Sequence, residues 1–541
     1  MQAVNWLAHW AELRPEAVAV IDADREVDYT YRKLERRAAA AAAFLKESFG
    51  IGRGDRVAFL AENRIEHLDL LFACGALGAI FVPLNYRLTA RELAVIVGDA
   101  EPAVAFYEEK FSAVVESLRE ESRKGCGPAG RSGEVRWRPA ADLEPAVEGR
   151  APAGGSGGPG AGGAHAAESG ARVPGPGTLG RRHWPVDLED PWALLYTGGT
   201  TGTPKGAVLS HRSITANAVN TIISWCLRPD DRAPVFTPFF HTGGWNVFTL
   251  PLLYQGATVV LTRRFDPGRA LELIERHRLT VVFMVPTMFQ AMADLPEFGR
   301  AELGSVRFFI SGGAPCPLPL YETYWKRGFE FKQGYGLTEA GPNTFALHGA
   351  DVRRKPGSVG RPLLYVETRI VDDAGADVGP GEVGELLVRG PHVFSGYWRR
   401  PEATAEVLGE DGWLRTGDLA RRDEEGFYYI VDRKKQIIIS GGENVYPLEV
   451  ETVLHSHPDV AASAVFGVAD PKWGEAVTAA VVLRPGARVG EEELRRWCRS
   501  ELAGYKVPKR IHFLEALPQT PAGKIDKKAL REMFSRREAV S

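Results

Sequence analysis

The sequence predicts an α/β protein of more than one domain, with a large N-terminal multi-sheet α/β domain and a small C-terminal α+β unit. Three observations predict it. The chain has 541 residues, more than one hydrophobic core organises. Apolar runs at Trp192–Tyr196, Thr280–Val285 and Val306–Ile310 lead into a Gly-rich turn or a proline-opened helix. That rhythm belongs to α/β layers, whose ligand loops lie at strand ends. Past Arg433 the pattern changes to strands at Val460–Val468 and Ala476–Leu483 and helices at Glu491–Leu502 and Lys527–Phe534.

Taken in order, an alanine-rich helix around Arg37–Lys46 and a strand at Arg56–Leu60 open the first domain. From about 125 to 182 the chain becomes rich in Gly, Ala, Pro and Ser, and this composition predicts a disordered surface insertion. The uncharged stretch Ala233–Thr262 is broken by Pro234, Pro238, Gly243, Gly244 and Pro251, so it reads as interior strand, loop and helix rather than a membrane span. Pro286 suits the first turn of the helix after Val285. The charged run DRKKQ (Asp432–Gln436) suits an exposed linker, with domains expected at 1–432 and 436–541 around a hinge at 433–435.

Bulk properties narrow the function. A net charge of −3 without a basic stripe argues against nucleic acid as a partner. The five cysteines are scattered, with no CxxC pair, which argues against a disulfide framework or a zinc site and fits a reducing compartment. The N-terminus has no basic stretch leading into an apolar core, so no signal peptide is expected and the expected location is cytoplasmic.

The stretch YTGGTTGTPKGAVLSH (Tyr196–His211) looks at first like a Walker loop. A Walker loop needs Gly-Lys-Ser/Thr opening a helix. Pro204 before Lys205 and Gly206 after it disfavour that helix, so a different polyphosphate cradle is expected. Gly198, Gly199 and Gly202 let backbone N–H groups approach an anion. Thr197, Thr200, Thr201 and Thr203 add hydroxyls, and Lys205 adds a positive charge. Three further stretches stand out: QGYGLTEAGP (Gln333–Pro342), the run Gly412–Glu451 with Asp418, Arg433 and a second Gly-rich loop, and PQTPAGKIDKKALR (Pro518–Arg531) with Lys524.

In content, order and spacing these stretches resemble the adenylate-forming superfamily of acyl- and aryl-CoA synthetases, luciferases and peptide-synthetase adenylation domains. The resemblance spans nearly the whole chain apart from the Gly/Ala/Pro-rich insertion. It implies a mobile C-terminal domain and a reaction in two halves: a carboxylate attacks the α-phosphate of ATP and expels pyrophosphate, and the acyl group of the resulting adenylate passes to coenzyme A with loss of AMP. Both reactants of the first half are anions, so the site must supply cations and donors where charge develops.

By resemblance, the opening loop holds the β- and γ-phosphates, while Glu339, with Thr197 as hydroxyl partner, binds Mg²⁺. Thr338 donates to the α-phosphate. Tyr335 stacks on adenine, which Gly313, Ala314, Gln333 and Gly334 line. Asp418 accepts from the ribose hydroxyls, and Arg433 reaches the same sugar. Lys524 is the adenylation lysine, contacting the carboxylate and the α-phosphate, and Lys435 is the pivot. Gly441 and Gly442 leave room for pantetheine in the second state, and Arg264 matches a position that contacts the CoA nucleotide in some relatives.

For the acid, His241, Trp245 and Met284 are candidates to line the pocket. His241 gates or lines the channel rather than acting as a base, because a carboxylate is already deprotonated at neutral pH. FFHTGGW (Phe239–Trp245) carries no acid for a substrate ammonium, and no carrier-serine motif follows Lys524, so the peptide-synthetase reading falls. The apolar stretches hold no Lys or Arg for a second carboxylate, and medium- or long-chain fatty acids are expected. Aryl acids such as hydroxycinnamates are the alternative. A luciferase-type oxygenase, an acyl-AMP ligase serving a carrier protein and a non-catalytic acyl- or nucleotide-binding protein complete the field. The expected partners are the acid, ATP and CoA, with no stable membrane insertion and a homodimer left open.

Overall fold

The structure, a computed structural model, describes residues 1–123, 135–148, 183–197, 204–520 and 524–538. The chain divides into two compact units, each assembled from separate stretches. One comprises Met1–Val281, Leu337–Asn343 and Pro391–Glu406; the other comprises Val282–Gly336, Thr344–Gly390 and Val407–Ser541.

The first unit is built on a six-stranded sheet in the spatial order Lys205–Ser210, Pro191–Thr197, Ile80–Leu84, Arg56–Leu60, Val104–Tyr107, Arg136–Pro139. All neighbours run parallel except the first pair, an antiparallel hairpin in which Lys205 stands opposite Thr197. The central strands are apolar on both faces, as parallel strands covered by helices must be. All five residues of Ile80–Leu84 are buried. A four-stranded sheet of Arg232–Val235, Thr258–Leu261, Val18–Asp22 and Val27–Thr30 completes the frame.

Part of the expected insertion is folded. Arg136–Pro139 pairs parallel with Val104–Tyr107 at the edge of the large sheet. Trp137, Ala140 and Leu143 are buried, and Glu144 lies 2.7 Å from Arg64. The expectation of disorder across 125–182 is therefore wrong for 135–148. Composition averaged over the whole run hid a short stretch, VRWRPAADLEPAVE, with enough apolar surface to dock. The remainder of the expected insertion lies outside the described residues.

In the second unit, Val281–Met284, Phe308–Ser311 and Phe331–Gln333 form a three-stranded sheet. An antiparallel meander follows, Glu367–Val371, Gly384–Arg389, Leu414–Arg422 and Tyr428–Arg433. The last five-stranded sheet centres on the pair Val460–Asp470 and Gly474–Leu483. Its two faces are covered by separate apolar clusters, one around Val450, Leu454, Leu494 and Cys498, the other around Phe466, Leu530 and Phe534. Arg433 ends the meander, and Lys434–Gln436 forms a single 3₁₀ turn before the strand Ile438–Ser440. No described helix is long and apolar enough to cross a membrane.

Candidate active site

The first unit carries the phosphate- and metal-directed candidates. Gly198, Gly199, Thr200, Thr201, Gly202 and Thr203 lie outside the described residues; Thr197 and Lys205 flank them at the mouth of the hairpin. Lys205 opens a strand and not a helix, so the cradle is not of the Walker kind. The Thr197 hydroxyl makes a long contact, 3.4 Å, to the Lys205 carbonyl. A further stretch, Pro391–Glu406, adds to this edge. Val208 N–H donates to the Gly396 carbonyl at 2.9 Å and Trp398 N–H to the Gly206 carbonyl at 2.8 Å.

Thr338 and Glu339 share a 3₁₀ turn, Thr338–Ala340, and Glu339 is 8% exposed. Its Oε1 accepts from the Tyr397 hydroxyl at 2.8 Å, and its carbonyl accepts from Phe394 N–H at 2.9 Å. Asn343 Nδ2 ties the far end of this loop to Thr221 Oγ1 at 2.8 Å and to the Asn246 carbonyl at 3.1 Å. Among the described residues no group of three or more His, Cys, Asp or Glu could cage a metal. One braced carboxylate fits Mg²⁺ nonetheless, since that ion is held by one or two carboxylates with substrate phosphates and water supplying the rest. When bound, Mg²⁺ neutralises charge on the phosphate tail.

The acid-directed candidates of this unit are packed tightly. Trp245 is 3% exposed and stacks on Phe239 with ring centroids 4.1 Å apart. Its Nε1–H donates to the Phe239 carbonyl, and it meets Phe81 edge-on at 5.9 Å. Gly244 has no alternative in this turn, because a Cβ there would stand 2.5 Å from the Pro238 carbonyl oxygen. His241 caps the short helix Thr242–Asn246 and lies 4.5 Å from the Phe240 ring. Arg264 pairs with the buried Glu62, which Lys110 also contacts. Burial pushes the Glu62 carboxyl up, but hydrogen bonds from Lys110 and Arg264 outweigh it and hold it below its ordinary value.

The second unit carries the nucleoside-directed candidates. Asp418 and Arg433 stand opposite each other on adjacent strands, with Arg433 Nε 2.6 Å from Asp418 Oδ1. The Tyr335 hydroxyl donates to Asp418 Oδ2 at 2.5 Å. Burial pushes Asp418 above the usual carboxylate range, and Arg433, the Tyr335 hydrogen bond and the Lys524 charge offset part of that rise. Burial and the neighbouring Asp418 together hold Tyr335 protonated. A carboxylate offers about four lone-pair sites, so Asp418 keeps capacity for two sugar hydroxyls.

Gln333 Oε1 accepts from Cys316 N–H at 3.0 Å, closing the Gly313–Ala314 loop over the strand end, and Met284 is fully buried. Lys524 is exposed; its carbonyl accepts from Thr520 N–H at 2.7 Å. Lys435 sits in the turn Lys434–Gln436. Gly441 and Gly442 form the tip of a hairpin at φ +64° and +86°, a conformation that side-chain-bearing residues rarely adopt.

Sequence reasoning missed Tyr397, Asp99 and Asn343. Asp99 accepts from the Tyr196 hydroxyl at 2.8 Å and from Arg400 at 3.0 Å, bracing the strand that Thr197 ends. The visible signal for Tyr397 is SGYWRRPEAT, a glycine–aromatic pair just ahead of a proline-opened helix.

The chain belongs to the AMP-binding enzyme family, whose model matches residues 7–398, and the AMP-binding enzyme C-terminal domain matches 449–524. It is 42% identical over 530 residues to a feruloyl-CoA synthase of Amycolatopsis sp, covering 98% of each chain. An indoleacetate–CoA ligase of Aromatoleum aromaticum is 37% identical over 537 residues and 99% of each chain. A long-chain-fatty-acid–CoA ligase of Mycobacterium tuberculosis is 34% identical over 544 residues, again 99% of each. Among solved structures, ATP-bound MatB of Rhodopseudomonas palustris aligns with a TM-score of 0.82 at 32% identity, covering 99% of each chain. The protein is an AMP-forming acid–thiol ligase of acyl or aryl acids that uses ATP, Mg²⁺ and coenzyme A.

Proposed function

We propose that the acid is aromatic, of the hydroxycinnamate type, rather than the fatty acid that the apolar sequence stretches suggest. The observation that carries this reading is the fixed position of Trp245. Stacked on Phe239, hydrogen-bonded through its indole nitrogen and met edge-on by Phe81, it has no room to turn aside for a long acyl tail. A flat acid suits a pocket bounded by such a ring. The feruloyl and indoleacetate ligases, more similar to this chain than the fatty-acid ligase, support the same reading. The fatty-acid reading rests on the buried apolar set Phe240, Val247, Phe248 and Met284.

In this proposal Lys205 and the threonine–glycine loop take the phosphates, Thr338 the α-phosphate, Glu339 and Thr197 the metal, and Tyr335 the adenine. Asp418 and Arg433 take the ribose, and Lys524 supplies positive charge at the forming acyl–phosphate bond. The segment after Lys435 then turns, bringing Gly441 and Gly442 to the pantetheine arm, with Arg264 meeting the CoA nucleotide. A cytoplasmic location is part of this reading and agrees with Cys74, Cys226, Cys316 and Cys498 standing outside any disulfide among the described residues. The test compares kcat/KM for ferulate, 4-coumarate, octanoate, palmitate and acetate. A hydroxycinnamate is expected to lead octanoate by about a hundredfold, the difference that about 2.7 kcal/mol makes. A lead for octanoate or palmitate would return the assignment to fatty acids.

A further inference from the structure

Between the two charged groups expected to meet the triphosphate tail lies a residue that the family motifs quoted above do not include. Tyr397 belongs to Pro391–Glu406, which is pinned to the edge strand by the bridge Ala207–Tyr397 and by the hydrogen bonds from Val208 and Trp398. Its own N–H donates to Thr404 Oγ1 at 2.8 Å, and that hydroxyl in turn donates to the Arg400 carbonyl at 2.8 Å. Phe394 meets its ring edge-on at 5.0 Å. The ring is therefore held from both backbone and side chain. From this position its hydroxyl reaches Glu339 Oε1 at 2.8 Å, and the Lys205 ammonium lies over its face, 5.1 Å from the centroid.

We propose that Tyr397 is a positioning residue for adenylation, aiming the Glu339 carboxylate and the Lys205 ammonium at the same metal–phosphate group. The proposal rests on the assignment of Glu339 to Mg²⁺ and of Lys205 to the phosphates. The chemistry favours such an arrangement. A phenol hydroxyl bound to one carboxylate oxygen fixes the plane of the group and leaves the other oxygen for a hard cation. The negative face of the ring holds an ammonium without neutralising it, as a carboxylate partner would. Two opposite charges are thereby kept near each other but apart, each still able to meet the ligand.

The experiment uses the full-length enzyme and a non-hydrolysable ATP analogue, with binding measured by calorimetry in EDTA and across a Mg²⁺ titration. Tyr397→Phe keeps the ring and removes the hydroxyl. It is expected to raise the Mg²⁺ concentration for half-maximal analogue binding about tenfold, the effect of one hydrogen bond to a charged group, and to leave the affinity in EDTA unchanged. Tyr397→Leu removes the ring as well and is expected to weaken binding in EDTA too, as is Lys205→Met. Combining Tyr397→Phe with Glu339→Gln should be no worse than Glu339→Gln alone. Wild-type Mg²⁺ dependence in Tyr397→Phe, beside a shifted Glu339→Gln, overturns the role of Tyr397 alone. Wild-type Mg²⁺ dependence in Glu339→Gln overturns the metal assignment and the proposal with it.

Discussion

The two units hold the charges proposed for nucleotide binding by different means. In the first unit, Glu339 and Lys205 are joined through one aromatic side chain and stand on strands or turns bonded to the edge of a large sheet. In the second, Asp418 is buried and paired with Arg433 and Tyr335, whereas Lys524 is exposed. Pre-positioned charge costs no reorganisation when the transition state forms. An exposed lysine can be present for one step and absent from the next. In the proposed assignment the braced charges serve both half-reactions, and the exposed lysine serves adenylation alone.

The largest expected effect tests that division directly. Lys524→Ala should lower acid-dependent pyrophosphate exchange about a hundred- to a thousandfold, the usual loss on removing one electrostatic stabiliser. Thioester formation from supplied acyl-AMP should stay near wild type. Equal loss in both half-reactions would erase the distinction between the braced charges and the exposed lysine.

A smaller effect concerns the frame of the first unit. Replacing residues 149–182 with a short Gly/Ser linker should leave Tm within about 2 °C, because loop closure depends only weakly on length. Extending the cut to 135–182 removes an edge strand and the buried Trp137 and Leu143. It should cost about 3 kcal/mol or more, in line with emptying a large core site. Urea unfolding of the two deletions compares them, and equal stability would show that the strand adds nothing to the sheet.

The smallest expected effect separates the units by pH. In the first unit burial pushes His67 and His211 down to about 3 and His392 down to about 4. In the second, burial and Lys527 push His455 down to about 4. The unfolded imidazoles take up protons below about pH 6.5 that the folded ones refuse. Their stabilising contribution is thus whole above about pH 6.5 and is lost as pH falls toward 4 and then 3. Asp69, pushed up to about 6 by burial against the pull of Arg37, works with the opposite sign. Its contribution is whole below about pH 4 and is lost as pH rises through 6. His211→Phe keeps the stack on Trp192, where the rings lie 4.5 Å apart. Unfolding free energies measured between pH 4 and 6 should then fall less steeply on acidification, by about 1.4 kcal/mol per pH unit. An unchanged slope would show that His211 takes up its proton in the folded state.

What the sequence by itself determined was everything carried by local pattern. Strand Arg56–Leu60 and the helices opening at Glu491 and Lys527 agree with their apolar spacing and flanks. The Thr/Gly loop, the Thr338–Glu339 turn and the Asp418, Arg433 and Lys524 positions stand in motifs that resemble those of the family, and their nucleotide roles are proposed on that resemblance. Tertiary structure alone decided the rest, because it depends on contacts far apart in the chain. Tyr397 lies 58 residues from Glu339, and their hydrogen bond exists only because Pro391–Glu406 pairs with the Lys205–Ser210 strand. Asp99 meets Arg400 across 301 residues to brace the same hairpin. The strand Arg136–Pro139 could not be foreseen inside a Gly/Ala/Pro-rich run, because four residues become a strand only when a sheet edge is waiting for them. Trp245 reads as a candidate pocket residue in the sequence; only the tertiary structure stacks it on Phe239 and sets Phe81 edge-on against it. Residue type sets the chemistry a side chain can offer, and long-range packing sets where it can be delivered.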